Sequence, residues 1–316
     1  MSGDGYRLIF MGTPDFAVPS LQALIASRHQ VVAVVTQPDT KKGRGKKLAA
    51  PPVKTVAEKA GIEVLQPTTI KTAECTESLA AFRPDLIVVA AYGRILPGSI
   101  LDLPPLGCIN VHGSLLPRHR GAAPIQWSVI EGDRRTGVTI MQMDTGMDTG
   151  DILLAAAIDV EEGDTAGSLF TTLARLGATA LLDALEKLER KELTPTPQDH
   201  RQATKAPPLD KEMGRIDWSK SAEKIHCLIR GLDPWPSAYT FLGGKRVKLF
   251  SPQILNKASE AIPGTVIRAD RQGIIVACGS AALRIKEMQP EGKKRMSAEA
   301  FLCGHSLATG SLFGDN

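Results

Sequence analysis

The first 190 or so residues alternate short apolar strands with helical segments, and this alternation constrains the fold more than any other feature. The runs VVAVVT (31–36) and DLIVVAAYG (85–93) are apolar throughout, not only at every second position. A strand that is apolar on both faces belongs in a parallel sheet covered by helices on both sides. The sequence therefore predicts an α/β domain with an open, Rossmann-like, mostly parallel sheet.

The chain changes character after this region. The stretch 190–208 contains four prolines and almost no apolar periodicity, which predicts an extended linker. One helix at about 221–230 and several short strands separated by glycines follow, a pattern typical of a small sandwich or barrel. We therefore expect an N-terminal domain at 1–189, a linker at 190–208 and a smaller C-terminal β-barrel domain of OB-like type at 209–316.

Composition excludes several classes of protein. Hydrophobic residues make up 43% and charged residues 23% of the chain, and no apolar run approaches the roughly 18 residues of a spanning helix. The N-terminus lacks the basic start and long apolar core of a secretory signal. The five cysteines are scattered, without a CxxC or Cys/His cluster. We expect a cytoplasmic protein with reduced thiols, no membrane association and no metal site.

The turn after the first strand bears on nucleotide binding. It reads FMGTPDFAV and has one glycine, whereas the dinucleotide fingerprint GxGxxG needs three for close approach to a pyrophosphate. KGRGKK lacks the Walker A pattern. A nicotinamide oxidoreductase, the guess from fold alone, is therefore disfavoured.

Basic residues are unevenly distributed. Five of the seven residues in KKGRGKK (41–47) are basic, and 205–316 carries 17 Lys and Arg against 11 Asp and Glu. Such regions fit a polyanion, but they fit a solvated surface equally well, and charge alone leaves both open.

The strand GCINVHG (107–113) carries the strongest chemical signal. Asn110 and His112 lie two apart, so an extended strand points both side chains to one face. An amide and an imidazole at a strand end can stabilise an oxyanion and exchange a proton, although a buried His and Asn bonded to backbone groups remains an alternative. Two Asp-Thr-Gly steps follow in MDTGMDTGD (143–151); their carboxylates can cap turns, or Asp148 can orient His112.

The segments GCINVHGSLLPRHRGAAPIQ and TGVTIMQMDTGMDTGDIL resemble the 10-formyltetrahydrofolate-dependent formyltransferases. The resemblance implies that the catalytic residues are Asn110, His112 and Asp148. It also implies that the apolar loop after the strand contacts the folate through Ser114, Leu115, Leu116 and Pro117. The loop's neighbours Arg118, His119 and Arg120 can face either solvent or RNA.

Further segments narrow the resemblance to methionyl-tRNA formyltransferases: TQPDTKKGRGKKL (36–48), VVAAYGRILP (88–97) and IDWSKSAEKI (216–225). It implies formyl transfer, without a metal, to initiator methionyl-tRNA for translation initiation by a monomer. The basic loop would bind tRNA through Lys41, Lys42, Arg44, Lys46 and Lys47, and the C-terminal domain would also bind tRNA. The loop departs from the family's usual Arg-Pro-Ala at 40–42, where Thr-Lys-Lys stands.

Two other functions remain compatible with the sequence. A related formylfolate-dependent transferase or hydrolase, acting on a small amine or on water, would need the same catalytic residues. It would not need the basic loop or the C-terminal domain. A non-catalytic tRNA-binding protein of this fold would be expected to lose one of the three catalytic residues, and all three are present.

Overall fold

The structure, a computed structural model, describes residues 5–42, 47–255 and 260–314, without the side chains of Lys41, Lys42 and Lys47. The chain divides into two compact units. The first comprises Met1–Pro124, Arg135–Ile158 and Phe170–Ala206. The second comprises Ile125–Arg134, Asp159–Leu169 and Pro207–Asn316.

Strands and helices alternate through the first part of the chain, as the apolar pattern predicts. The strands are β1 (Arg7–Gly12), β2 (Gln30–Val35), β3 (Thr40–Lys42), β4 (Lys47–Ala49), β5 (Val64–Leu65), β6 (Leu86–Ala90), β7 (Cys108–His112), β8 (Arg120–Gly121), β9 (Arg135–Gln142), β10 (Ile152–Asp159) and β11 (Lys205–Ala206). The helices are α1 (Val18–Ile25), α2 (Pro52–Lys59), α3 (Ala73–Ala80), α4 (Gly98–Leu101), α5 (Pro124–Ile130) and α6 (Ala166–Glu189).

Seven of these strands form one sheet in the order β10-β9-β7-β6-β1-β2-β5. The pairs β1–β2, β1–β6, β6–β7 and β2–β5 are parallel, whereas β9 runs antiparallel to β7. Strand β6 is buried along its whole length, as expected for a strand that is apolar on both faces. The predicted mostly parallel, Rossmann-like sheet is confirmed.

A cluster of apolar side chains buries one region of this sheet. Ile9, Met11, Ile87 and Val89 contribute from neighbouring strands and are at most 4% exposed. Leu79 of α3 belongs to the same cluster. Thr72 begins α3 by accepting a hydrogen bond from the Cys75 N–H through its side chain. Cys108 of β7 belongs to this cluster too, and β7 is an interior strand because it pairs with β6 on one side and with β9 on the other.

The second unit contains an antiparallel sheet, so the predicted C-terminal β domain is present. Its strands are β12 (Tyr239–Leu242), β13 (Lys245–Leu255), β14 (Val266–Asp270), β15 (Gly273–Ala277), β16 (Ala282–Pro290) and β17 (Met296–Ser297), and its helices are α7 (Ala222–Gly231) and α8 (Ala298–Gly304). The sheet order is β12-β13-β16-β15-β14, with β17 added to β16. Gly243 and Gly244 join β12 to β13 at positive φ, as a tight two-residue hairpin requires.

Helix α7 buries one histidine that makes stability depend on pH. His226 is 3% exposed, and its Nδ1 accepts a hydrogen bond from Arg230 Nε at 3.2 Å. Burial, and then the charge of Arg230, lower the pKa of His226 from 6.5 to about 4. At neutral pH the folded protein therefore holds this ring uncharged.

We expect acid to destabilise the fold through His226. Below pH 6.5 the unfolded chain binds a proton that the folded chain refuses until about pH 4, so stability falls across that window. Between pH 6.5 and 4.5, wild type should lose about 1–2 kcal/mol more free energy of unfolding than His226→Gln. Urea titrations at stepped pH measure the difference, and parallel pH curves for the two proteins would contradict it.

Candidate active site

Strand β7 delivers Asn110 and His112 to one face near its carboxyl end. His112 is 5% exposed, whereas Asn110 is half-buried. Within the described residues nothing hydrogen-bonds to the Asn110 side-chain amide. A half-buried amide without a protein partner has its donors and its acceptor available to a ligand. The carboxyl ends of the parallel strands in such sheets are where ligands bind.

Two acceptors flank the His112 ring. Nε2 lies 3.0 Å from the carbonyl oxygen of His119, and Nδ1 lies 3.7 Å from Asp148 Oδ1. A carbonyl oxygen only accepts, so Nε2 carries a proton and donates a hydrogen bond to the backbone carbonyl of His119. A cationic ring can donate through both nitrogens, to the carbonyl and toward the carboxylate. Each ring nitrogen of His112 therefore has an acceptor on its side.

Asp148 is held in place by a contact distant in sequence. Its Oδ2 accepts a hydrogen bond from the Gly121 N–H at 2.8 Å, which leaves Oδ1 facing His112. Its backbone has φ of 53°, a left-handed conformation that costs a non-glycine residue on the order of 1 kcal/mol or more. Gly121 has φ of 127°, and a Cβ there would lie 2.6 Å from the Ala206 oxygen. Only glycine therefore brings this N–H to the carboxylate without displacing β11.

The structure distinguishes the two Asp-Thr-Gly steps. The exposed Asp144 caps its own turn, since its Oδ1 accepts from the Gly146 N–H at 2.9 Å and from Thr149 Oγ1 at 2.7 Å. Asp148 instead faces His112. The turn-capping alternative thus describes the first carboxylate, and the orienting alternative matches the position of the second.

The loop after β7 divides into inward and outward residues. Ser114 and Leu116 are buried, whereas Leu115 and Pro117 are half-buried. The hydroxyl of Thr139 on β9 donates to the Ser114 carbonyl at 2.7 Å and accepts from the Leu116 N–H at 3.1 Å. The loop is thereby tied to the sheet, and Leu115 and Pro117 retain apolar surface for a ligand.

The thiol of Cys108, on the same strand, is not a candidate nucleophile. Burial, and then the nearby Asp102 charge, raise the pKa of the Cys108 thiol to about 12, so it is not a nucleophile at neutral pH.

In the part of the chain that the structure describes, no three His, Cys, Asp or Glu side chains are grouped so as to hold a metal ion. None of the described helices combines the length and apolarity needed to cross a membrane.

The basic residues predicted to meet RNA fall into several environments. Lys41, Lys42 and Lys47 lie on the two-stranded β3–β4 ribbon that follows β2, with Lys42 paired to Lys47. Arg44 and Lys46 lie outside the described residues. Of the residues flanking the apolar loop, Arg118 is exposed, His119 is buried and Arg120 is half-buried.

Three residues that shape this site are not predicted from the sequence. They are Thr139, which ties the apolar loop, Gly121, which holds Asp148, and Gln198, whose amide contacts the Asp148 turn. Gln198 falls inside the stretch predicted as a linker. The RG step at 120–121 was a signal for Gly121, because a glycine in a loop of bulky residues indicates a special backbone position. Nothing in the local pattern distinguishes Thr139 or Gln198.

Comparison with known proteins gives the class. Residues 6–185 match the family described as "Formyl transferase", and residues 208–306 match "Formyl transferase, C-terminal domain". Among solved structures, HypX from Aquifex aeolicus in complex with tetrahydrofolic acid is similar, with a TM-score of 0.61 at 19% identity over 94% of this chain and 47% of that one. An N-formyltransferase from Helicobacter canadensis with folinic acid and dTDP-3-aminofucose gives a TM-score of 0.68 at 16% identity over 92% and 100%.

Curated relatives are far more similar in sequence. The methionyl-tRNA formyltransferase of Desulfotalea psychrophila is 62% identical over 95% of this chain and 93% of that protein. The methionyl-tRNA formyltransferase of Acetivibrio thermocellus is 51% identical over 98% and 99%. The chain therefore belongs to the methionyl-tRNA formyltransferase family of formyl transferases.

Proposed function

We propose that this protein transfers the formyl group of 10-formyltetrahydrofolate to the α-amino group of methionine on initiator methionyl-tRNA, for translation initiation. The observation that carries the proposal is the 62% identity, along nearly the whole chain, to a methionyl-tRNA formyltransferase. The position of Asn110 and His112 on one strand, with Asp148 Oδ1 3.7 Å from His112 Nδ1, also supports it, since an amide, an imidazole and a carboxylate suit acyl transfer.

The reaction begins with the neutral amine of methionine attacking the formyl carbon. A carbon–nitrogen bond forms, and the carbonyl oxygen becomes an oxyanion. The bond from the formyl carbon to N10 then breaks, N10 takes a proton, and the amine nitrogen loses one. The intermediate is the species that the protein has to stabilise.

Asn110 is the candidate oxyanion donor. His112, whose two ring nitrogens face the His119 carbonyl and Asp148, can stabilise the oxyanion through positive charge on its ring. The Asn110 amide has no partner among the described residues, so a substrate oxygen can accept its N–H without breaking a protein hydrogen bond. His112 is restrained by the His119 carbonyl and by Asp148. The carboxylate balances a positive charge on the ring during transfer. One such donor lowers the barrier by about 3–4 kcal/mol.

The apolar loop at 114–117 is the candidate surface for binding the folate. Ser114 and Leu116 hold the loop to β9 through Thr139, and Leu115 and Pro117 offer half-buried apolar surface. A planar heteroaromatic ring packs on such surface with little loss of side-chain entropy, because proline is rigid. We assign all four loop residues, 114–117, to the folate site.

Features outside the catalytic residues indicate which amine accepts the formyl group. WlaRD, a sugar 3N-formyl transferase, has a similar fold, with a TM-score of 0.67, so the fold by itself fits several amine acceptors. The C-terminal domain does not discriminate between acceptors, because the similarity to the Helicobacter canadensis enzyme extends over 92% of this chain. The basic β3–β4 ribbon does, since a small amine or water does not require it. We propose that Lys41, Lys42, Arg44, Lys46 and Lys47 bind the tRNA.

A basic groove in the second unit suits a phosphate backbone. It has a volume of about 320 Å³, and its lining includes three cations, Lys211, Arg246 and Lys248, one carboxylate, Glu291, and Trp235, which is 56% exposed. Burial, and then the charges of Arg246 and Lys211, lower the pKa of Lys248, as expected where cations converge. The Arg246 guanidinium lies 3.5 Å from the Tyr239 ring centre. An anion in this groove would relieve the repulsion among the three cations.

We expect Lys248→Ala to weaken tRNA binding through the loss of one phosphate contact. The KM for methionyl-tRNA should rise about threefold to tenfold, and the slope of log affinity against log salt should fall by about 0.7–0.9. The KM for the folate should not change. Lys224→Ala, which removes an exposed lysine of α7 that does not line the groove, is the matched control. Equal salt slopes in wild type and Lys248→Ala would refute this contact.

The deciding experiment for the function is a formyl-transfer assay with 10-formyltetrahydrofolate. Methionine-charged initiator tRNA is the acceptor, and free methionine and charged elongator tRNA are the controls. Formylation of the initiator alone supports the proposal. Folate consumption without formylated tRNA points to the alternative, transfer to a small amine or to water. No consumption with any acceptor rejects the enzymatic assignment.

We also propose that the protein acts as a cytoplasmic monomer in which 1–189 is catalytic, 190–208 is the linker and 209–316 binds tRNA. All the candidate catalytic and folate-site residues lie in the first unit, and all five cysteines are free. Sedimentation at assay concentrations tests the monomer. Folate binding by a fragment that lacks 209–316 tests the division of labour.

A further inference from the structure

Gln198 is a buried residue whose side-chain amide makes four hydrogen bonds, two to the turn that carries Asp148 and two to Arg120. It is 6% exposed. Its Nε2 donates to the carbonyl of Asp148 at 3.0 Å and to that of Gly150 at 2.7 Å. Its Oε1 accepts from Arg120 Nε at 3.1 Å and from Arg120 Nη2 at 2.6 Å. The amide orientation is unambiguous, because carbonyls only accept and a guanidinium only donates.

These bonds connect the two loops that place the Asp148 carboxylate. One loop is the turn that carries Asp148 itself, whose φ of 53° is unusual for a residue other than glycine. The other is the Arg120–Gly121 strand, whose Gly121 N–H binds Asp148 Oδ2. Without the amide, the carbonyls of Asp148 and Gly150 would lose a shared donor on the turn, and Arg120 would lose its bidentate acceptor.

We infer that Gln198 is a positioning residue, which holds the Asp148 carboxylate toward His112 by bridging the Asp148 turn and the Arg120–Gly121 strand. The inference rests on the proposed function in so far as the carboxylate serves formyl transfer. It gives the stretch between the two domains a part in the chemistry of the first one. Arg120 is then also engaged in this bridge and in a 3.0 Å contact to His200 Nδ1.

The test isolates the two amide donors. Gln198→Glu keeps the size of the side chain and the acceptor for Arg120, but faces two carbonyls with an oxygen that cannot donate. We expect kcat for formyl transfer to fall about tenfold or more, with KM for both substrates within about twofold. The matched control is Gln202→Glu, an exposed position four residues away whose amide contacts Asp199. Its kcat should stay near wild type.

A double-mutant cycle separates positioning from general damage. In an Asp148→Asn background, Gln198→Glu should lower kcat by less than about twofold, because the group it positions is already gone. A full additional tenfold loss there, or wild-type kcat in the single variant, would overturn the inference.

A second readout does not depend on turnover. In NMR spectra, the His112 ring resonances, assigned by loss in His112→Gln, should shift in Gln198→Glu and not in Gln202→Glu. Unchanged His112 resonances would overturn the inference. If wild type formylates nothing, the proposed function fails, and this measurement still decides whether Gln198 positions the carboxylate.

Discussion

Replacing Asp148 by Asn is expected to lower kcat for formyl transfer by about 10²-fold or more, with the fold intact. The change keeps the side-chain shape and an oxygen that can accept from the Gly121 N–H, but removes the negative charge 3.7 Å from His112 Nδ1. Without that charge the ring loses its counter-ion when it becomes cationic. In acyl-transfer enzymes, losing the carboxylate beside a catalytic histidine costs several orders of magnitude. Steady-state kinetics with charged initiator tRNA give kcat and both KM values.

The chain offers a closely matched control in Asp144→Asn. Asp144 lies in the preceding Asp-Thr-Gly step, is exposed, and accepts hydrogen bonds from the Gly146 N–H and the Thr149 hydroxyl, which the amide oxygen of Asn can still accept. Its loss should change kcat by less than about threefold, as for a surface turn residue. Near-wild-type turnover in Asp148→Asn, or equal losses in both variants, would remove Asp148 from the mechanism.

Asn110→Ala is expected to lower kcat by about 10²–10³-fold, which corresponds to the loss of one oxyanion donor. The folate KM should stay within a fewfold, because the hydrogen bond strengthens only as the oxyanion forms. The same steady-state assay with the folate as varied substrate measures both quantities.

The variant has its own control for folding. The Asn110 amide makes no hydrogen bond to any described residue, so its removal should change the free energy of unfolding by less than about 1 kcal/mol. A kcat within about threefold of wild type would show that this amide does not stabilise the oxyanion. A parallel collapse of stability and activity would show that it is structural.

Much of the architecture could be predicted because its signals are local. The strands 31–36 and 85–93 are apolar on both faces, and β2 and β6 lie in the interior of the sheet. Ser221, the first residue of the predicted helix at 221–230, is the N-cap of α7 and accepts a hydrogen bond from the Lys224 N–H. Periodicity and capping depend on residues a few positions apart, so a single sequence carries them.

Thr13 followed by Pro14 has the pattern of an N-cap and a first helical residue, which predicts a helix from Pro14, but the helix begins later. A single 3-10 turn, Asp15–Ala17, comes first, and α1 begins at Val18. Helix ends depend on competition among capping groups within one turn, which pattern reasoning resolves poorly. The difference leaves the sheet order unchanged.

By itself the sequence determined the α/β alternation, the β character of the C-terminal domain and the shared face of Asn110 and His112, because these follow from strand and helix periods. The family resemblance singled out Asp148, but only the tertiary structure showed that its carboxylate faces His112 and that Gly121 and Gln198 hold it. The pairs His112–Asp148 and Asp148–Gln198 are 36 and 50 residues apart in the chain. Contacts at such separations depend on how the whole sheet packs, and no local pattern encodes them.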